Sequence, residues 1–157
     1  MCKYPTLSAF QTASDNLAPY IHKTPTMDIP LASGLRVTLK LENLQVSGSF
    51  KVRGALNTVL SLTKAELSKG LVTASGGNHG MGVAYAGALT KTPTTIYLPE
   101  NTPASKVAKL RKLTPDVIVS GAVWDDANAL ALKARDKEGK TYIHPFADPT
   151  VVAGQGT

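Results

Sequence analysis

Cysteine is all but missing: Cys2 alone cannot form a disulfide within the chain, and one thiolate is too few for a cysteine-based zinc site. The count fits a reducing, cytoplasmic setting. No apolar run approaches the roughly 18 residues of a membrane span, and near the start Lys3, Gln11, Asp15 and His22 interrupt the apolar residues, unlike a secretory leader. No membrane partner and no targeting segment are expected. Internal repeats and low-complexity linkers are absent. So are both standard nucleotide-phosphate patterns, since neither G-x-G-x-x-G nor G-x-x-x-x-G-K-[ST] can be threaded through the glycines. Acidic residues are in deficit, eleven against seventeen basic, for a net charge of +6. That charge would suit nucleic acid if gathered on one surface, but only Lys109, Arg111 and Lys112 cluster, so no nucleic-acid partner is expected. Solvated helix faces account for the rest, with part of it open to an anionic ligand. His22, His79 and His144 lack metal-ligand spacing, and no metal is expected. Ser61-Leu62-Thr63-Lys64 fits S-x-x-K without an S-D-N or K-T-G partner, and reads as a chance helix-end tetrapeptide.

What is present is an alternation. The 157 residues suffice for about one domain burying roughly two thirds of its unfolded surface. Residues 7–20 have Ser8 as a candidate N-cap and Ala9, Phe10, Ala13 and Leu17 at helical spacing; Thr24-Pro25 and Ile29-Pro30 then break the chain. Residues 37–42 alternate apolar and polar, which predicts a half-buried strand, and a helix follows over 50–62. Beyond it, strands over 71–74, 94–98, 116–120 and 141–143 alternate with helices over 78–89, 103–113 and 124–137, the last stopped by Gly139. Trp124, Asp125 and Asp126 read as a helix start, and Tyr85, Ala86 and Leu89 as packing on the sheet. Residues 148–157 look like the opening of another helix, so the alternation stops in mid-unit and suggests a fragment. The pattern predicts an α/β fold: an open parallel twisted sheet with helices on both faces.

Two glycine-flanked loops carry candidate chemistry. In Ser47-Gly48-Ser49-Phe50-Lys51-Val52-Arg53-Gly54 a lysine opens a helix behind a small-residue turn. The positive end of the helix disfavours a second cation, which predicts a lowered pKa, and a neutral amine is the form that attacks carbonyl groups. Most such lysines are nonetheless solvated surface residues. In Thr73-Ala74-Ser75-Gly76-Gly77-Asn78-His79-Gly80 a strand passes into a helix, where α/β sheets bind ligands and glycine admits them to the backbone. An ordinary tight turn with Asn78 as N-cap fits that stretch equally well.

Taken together, these segments resemble a known family. Lys40-Leu41-Glu42-Asn43-Leu44-Gln45 followed by Gly48-Ser49-Phe50-Lys51-Val52-Arg53-Gly54-Ala55 resembles the cofactor-lysine segment of the fold-type II pyridoxal-phosphate enzymes, in particular threonine and serine dehydratases and serine racemase. Ser75-Gly76-Gly77-Asn78-His79-Gly80 looks like their asparagine loop. Tyr97-Leu98-Pro99-Glu100-Asn101 and the stretch from His144-Pro145-Phe146 to Ala153-Gly154-Gln155-Gly156-Thr157 are similar in the expected order. The resemblance runs from about residue 7 to the end. It implies pyridoxal 5′-phosphate as cofactor and a tryptophan synthase β-like fold. Lys51 is then the Schiff-base lysine and later the base, Phe50 packs beside the cofactor, and Asn78 binds its ring 3′-oxygen. Ser75 with the N–H groups of Gly77, Asn78 and His79 holds the carboxylate of an amino-acid substrate.

By the same resemblance, residues 1–52 belong to the family's larger domain, 53–145 form its smaller one, and 146–157 start the return into the larger. The family's glycine-rich phosphate cup and the Ser or Cys facing the pyridine nitrogen are absent, so an N-terminal half is expected, inactive alone and a dimer or tetramer when complete. The implied reaction is β-elimination from L-threonine or L-serine to a 2-oxo acid and ammonia. Two rivals stand beside it: serine racemisation, and a truncated, non-catalytic α/β module. Against racemisation, the family's racemases carry a serine one residue after the position of Ser75, and here that place is Gly76.

Overall fold

The computed structural model describes residues 4–157; Cys2 lies outside the described residues. Helix α1, Leu7–Leu17, is capped by Thr6, whose hydroxyl accepts from the Ala9 N–H at 3.3 Å. Ser8, the expected cap, already lies in the helix and pairs its hydroxyl with that of Thr6 at 2.8 Å. A cap must stand outside the helix with extended backbone, and Thr6 does. The helix also ends before residues 18–20, which form a turn.

The prolines expected to break the chain sit in a hairpin, where β1, Thr26–Pro30, pairs antiparallel with β2, Arg36–Lys40. Pro30 closes β1, where proline is tolerated. The predicted strand is therefore real, but β2 is exposed along its whole length rather than half-buried. Among the described residues, none of the hairpin's side chains belongs to a hydrophobic cluster.

The rest alternates as α2 (Lys51–Ser61), α3 (Lys64–Lys69), β3 (Leu71–Ala74), α4 (Asn78–Thr90), β4 (Thr94–Leu98), α5 (Ala104–Arg111), β5 (Val117–Val119), α6 (Trp124–Glu138), β6 (Thr141–Tyr142) and α7 (Pro149–Gln155). The short α3 goes beyond the sequence reading, although Thr63 and Glu66 form the reciprocal cap that a T-x-x-E pattern announces. Helix α6 starts at Trp124 as expected, with the Asp126 carboxylate accepting from the N–H groups of Ala122 and Val123 at 2.9 and 3.2 Å. Asp148 caps α7 through the N–H groups of Thr150 and Val151.

The sheet runs β5-β4-β3-β6, with every neighbouring pair parallel. Period-two alternation divides its side chains between two layers. Leu71, Ile96 and Leu98 face a core shared with α2, α4 and α5, while Val72 and Ala74 face α6. Helix α2 is the hub, buried from Val52 to Val59 and packed on both α4 and α7. Glycine on each side permits the close α2–α7 crossing, since a Cβ on Gly154 would lie 2.5 Å from the Arg53 carbonyl oxygen and 2.7 Å from the Gly54 Cα. On α4, Ala86 is buried and Tyr85 packs against the core. Leu89, expected to join them, is 39 % exposed near the C-terminal end of α4.

Candidate active site

Strands β3, β4 and β5 step outward in one direction, and β6 then returns to the other side of β3. The chain segments leaving the carboxyl ends of β3 and β6 therefore diverge, opening the crevice in which α/β sheets bind ligands. The β3 segment is Ser75-Gly76-Gly77, which runs into α4. The β6 segment is His144-Pro145-Phe146. Both loops singled out in the sequence meet this crossing.

Lys51 is the first residue of α2, with Phe50 at the N-cap. The turn before it is closed by the Gly48 N–H donating to the Gln45 carbonyl at 2.7 Å, and the Lys51 N–H donates to the Ser49 hydroxyl at 3.4 Å. Farther on, the Lys51 Nζ donates to the Pro145 carbonyl at 2.9 Å, and lies 4.9 Å from the ring centre of Phe146 and 5.5 Å from that of Phe50. A carbonyl and two ring faces favour the ammonium. Burial opposes them and prevails, lowering the Lys51 pKa. The direction is the one expected; the cause is desolvation rather than the helix end.

The loop after β3 is built for close approach. A Cβ on Gly80 would lie 2.0 Å from the Ser75 carbonyl oxygen, so only glycine lets the chain fold back there. At Gly77 a Cβ would meet nothing nearer than the Ser75 hydroxyl at 4.0 Å, which leaves open space over the backbone. Gly77 is the N-cap and Asn78 the first helical residue, so Asn78 is not the side-chain cap that the turn reading offered. It is exposed, and its N–H and that of His79 belong to the helix's first turn, where no intrahelical acceptor exists. The Ser75 hydroxyl accepts from the Gly77 N–H at 3.3 Å. His79 differs from its neighbours, for its imidazole is 3 % exposed beneath the loop, with Nε2 3.1 Å from the Ile143 carbonyl oxygen. Burial holds its pKa down at about 4.

The turn that carries Lys51 and the asparagine loop share a cleft of about 260 Å³, lined by Ser47, Gly48, Gly76, Gly77, Asn78, Met81, Lys106 and Lys109. The Lys51 amine is directed away from it, to Pro145. A larger cavity of about 610 Å³ lies apart from this crossing, between α1, α2 and the start of α7.

Several contributors escaped the sequence reading. Pro145 acts through its carbonyl, which no side-chain pattern reveals. Phe146 covers the lysine, held there by the His144 Nδ1, which accepts from the Phe146 and Ala147 N–H groups at 3.0 Å each. The Trp124 indole donates to the Ala74 carbonyl at 2.8 Å and so fixes the end of β3 from the α6 side. Arg53 and Glu42 form a two-pronged ion pair, 2.7 Å at each contact, that braces the first turn of α2. This pair and Thr24 hold the Glu42 pKa down at about 2.

The sequence profile of the pyridoxal-phosphate-dependent enzymes matches residues 17–157. The chain belongs to that family. It is 42 % identical over 155 residues to an L-threonine ammonia-lyase of Thermotoga maritima, a match covering 97 % of this chain and 39 % of the relative. It is 35 % identical to a serine racemase of Oryza sativa subsp. indica, over 96 % of this chain and 45 % of that one. Among solved structures, maize serine racemase superposes with a TM-score of 0.90 at 33 % identity, covering 98 % of this chain and 48 % of the racemase. The chain therefore spans somewhat under half the length of these relatives. The residues at the crossing fit the family's cofactor on the chemistry of the donors present: an amine with a lowered pKa, an aromatic ring beside it, and a glycine in the loop whose Cβ position is open space.

Proposed function

We propose that the complete protein containing this chain is a pyridoxal-phosphate-dependent ammonia-lyase acting on L-threonine or L-serine. The reaction removes the α-proton and the β-hydroxyl, and hydrolysis of the resulting enamine gives a 2-oxo acid and ammonia. One observation carries the reading: an amine whose neutral form is favoured by burial stands at the sheet's crossing point, beside a helix start where the Asn78 and His79 N–H groups have no intrahelical acceptor. Similarity to L-threonine ammonia-lyases supports the substrate class.

In this reading Lys51 is the residue that bonds the cofactor's carbonyl carbon, Phe50 packs beside it, and the exposed Asn78 amide serves its ring oxygen. When bound, the cofactor supplies an electron sink for the pair left at the substrate Cα. The chain's own work is orientation and proton handling. Ser75 and the N–H groups of Gly77, Asn78 and His79 would bind the substrate carboxylate, exchanging the long Gly77–Ser75 bond for a charge-assisted one. Lys51 would keep its amine at the crossing and take the α-proton. Fixing the carboxylate and the amine to one rigid crossing supplies the orientation that such a step needs.

Elimination is favoured over racemisation by Gly76, which has no side chain to serve as a second proton donor. Thr102 fills the space where one would stand, because a Cβ on Gly76 would lie 2.9 Å from its methyl carbon. Residues 1–52 and 146–157 read as parts of a larger domain and 53–145 as a smaller one, with the phosphate cup and the partner of the pyridine nitrogen outside these 157 residues. A cytoplasmic homo-oligomer completes the reading. Release of 2-oxobutyrate from L-threonine by the complete protein tests it. Turnover abolished by Lys51→Ala supports it, and release that survives that change overturns it.

A further inference from the structure

The side chain of His79 does something that its place in the loop does not announce. Its backbone N–H belongs to the first turn of α4, yet its side chain is almost wholly buried. There it meets the Ile143 carbonyl, which also accepts from the Thr73 hydroxyl at 2.8 Å. Ile143 directly follows β6, its own N–H donates to the Val72 carbonyl at 2.9 Å, and two residues later the chain presents the Pro145 carbonyl to Lys51. One imidazole thus spans from the segment that would hold the carboxylate to the segment that receives the lysine amine.

We propose that His79 is a positioning residue whose neutral imidazole, protonated on Nε2, latches the first turn of α4 to the end of β6 and so fixes the carboxylate loop relative to Lys51. This rests on the function proposed above. A carbonyl oxygen can only accept, so the 3.1 Å contact requires the proton on Nε2 and leaves Nδ1 as a bare acceptor. Among the described residues Nδ1 has no partner, although it is buried. A histidine used only to fill space would not need one defined tautomer. A latch does.

The test uses the chain as it stands and needs no turnover. Imidazole ¹⁵N spectra of the unmodified protein should show His79 neutral and protonated on Nε2; a proton on Nδ1, or averaging between tautomers, overturns the proposal. Amide hydrogen exchange then compares His79→Leu, which fills the volume without a donor, with His79→Gln, which can return an N–H to the same carbonyl. In the leucine variant the amides of Met81 and Ile143 should exchange about five- to tenfold faster, the scale of one lost hydrogen bond, while Ile96 in the neighbouring strand is unmoved and glutamine recovers most of the difference. Equal exchange in all three proteins, or equal acceleration at Ile96, overturns the latch. Should the leucine variant fail to fold, the tautomer of the unmodified protein decides. If pyridoxal phosphate leaves no label on Lys51 in the unmodified protein, the functional reading fails, while the exchange result still judges the latch.

Discussion

At the scale of single residues, the glycines of the asparagine loop separate folding from ligand access. Gly80→Ala drives a methyl into the Ser75 carbonyl and should cost more than about 3 kcal/mol, seen as a large fall in the urea midpoint. Gly77→Ala points a methyl into open space from extended backbone, so stability should stay within about 0.5 kcal/mol while substrate-carboxylate binding by the complete protein weakens. If both variants bind and unfold like the unmodified chain, the loop is not the site. Acid stability is a second residue-scale expectation. The buried His79 holds a pKa of about 4 against an ordinary 6.5, so the unfolded chain takes up its proton first. Stability is then full above about pH 6.5 and falls as pH drops from there toward 4. Glu42, held near 2 by Arg53 against an ordinary 4.5, adds a further decline from about 4.5 toward 2. Urea midpoints across pH should trace both, with the first decline lost in His79→Gln. A midpoint that rises on acidification from 6.5 to 4 would contradict this.

At the scale of elements, the α2–α7 crossing is where the helix that carries Lys51 is tied down. Gly154→Ala would set a Cβ against two backbone atoms of α2, and an overpacking cost of about 1–3 kcal/mol should appear as a lowered Tm. An unchanged Tm would mean that the crossing is looser than described. The alternation itself was legible because β3 and β4, buried strands a few residues long, alternate with helices that change period from two to 3.6. The hairpin was half legible: period two in residues 37–42 marked a strand, but Pro25 and Pro30 masked its partner, and no local pattern tells whether a strand will find a face to cover. Thr6 and Gly77 displaced Ser8 and Asn78 as caps because α1 begins at Leu7, two residues before a Ser8 cap would allow, and α4 begins at Asn78 itself. Lys51, Phe50, Ser75, Gly77, Asn78 and His79 could be named because they are local. The roles of Pro145, Phe146 and Trp124 at the crossing were not legible, since each reaches it through a contact 50 or more residues away along the chain.

At the scale of the whole molecule, the proposed function makes the crossing one wall of a site whose phosphate and pyridine-nitrogen partners would come from the rest of the complete protein. Chain 1–157 with excess pyridoxal phosphate should therefore release 2-oxobutyrate far below the ordinary enzyme range of about 1 to 1,000 per second. Turnover within that range, abolished by Lys51→Ala, would show that this part suffices. The account's central claim, that Lys51 at the β3–β6 crossing is the cofactor lysine, has a more direct test. Chain 1–157 is incubated with pyridoxal phosphate, reduced with borohydride and mapped by peptide mass spectrometry. Burial makes the Lys51 amine neutral at a lower pH than an exposed lysine, so the pyridoxyl label should fall predominantly on Lys51. A label spread over the exposed lysines, with Lys51 no more modified than the rest, would contradict the account.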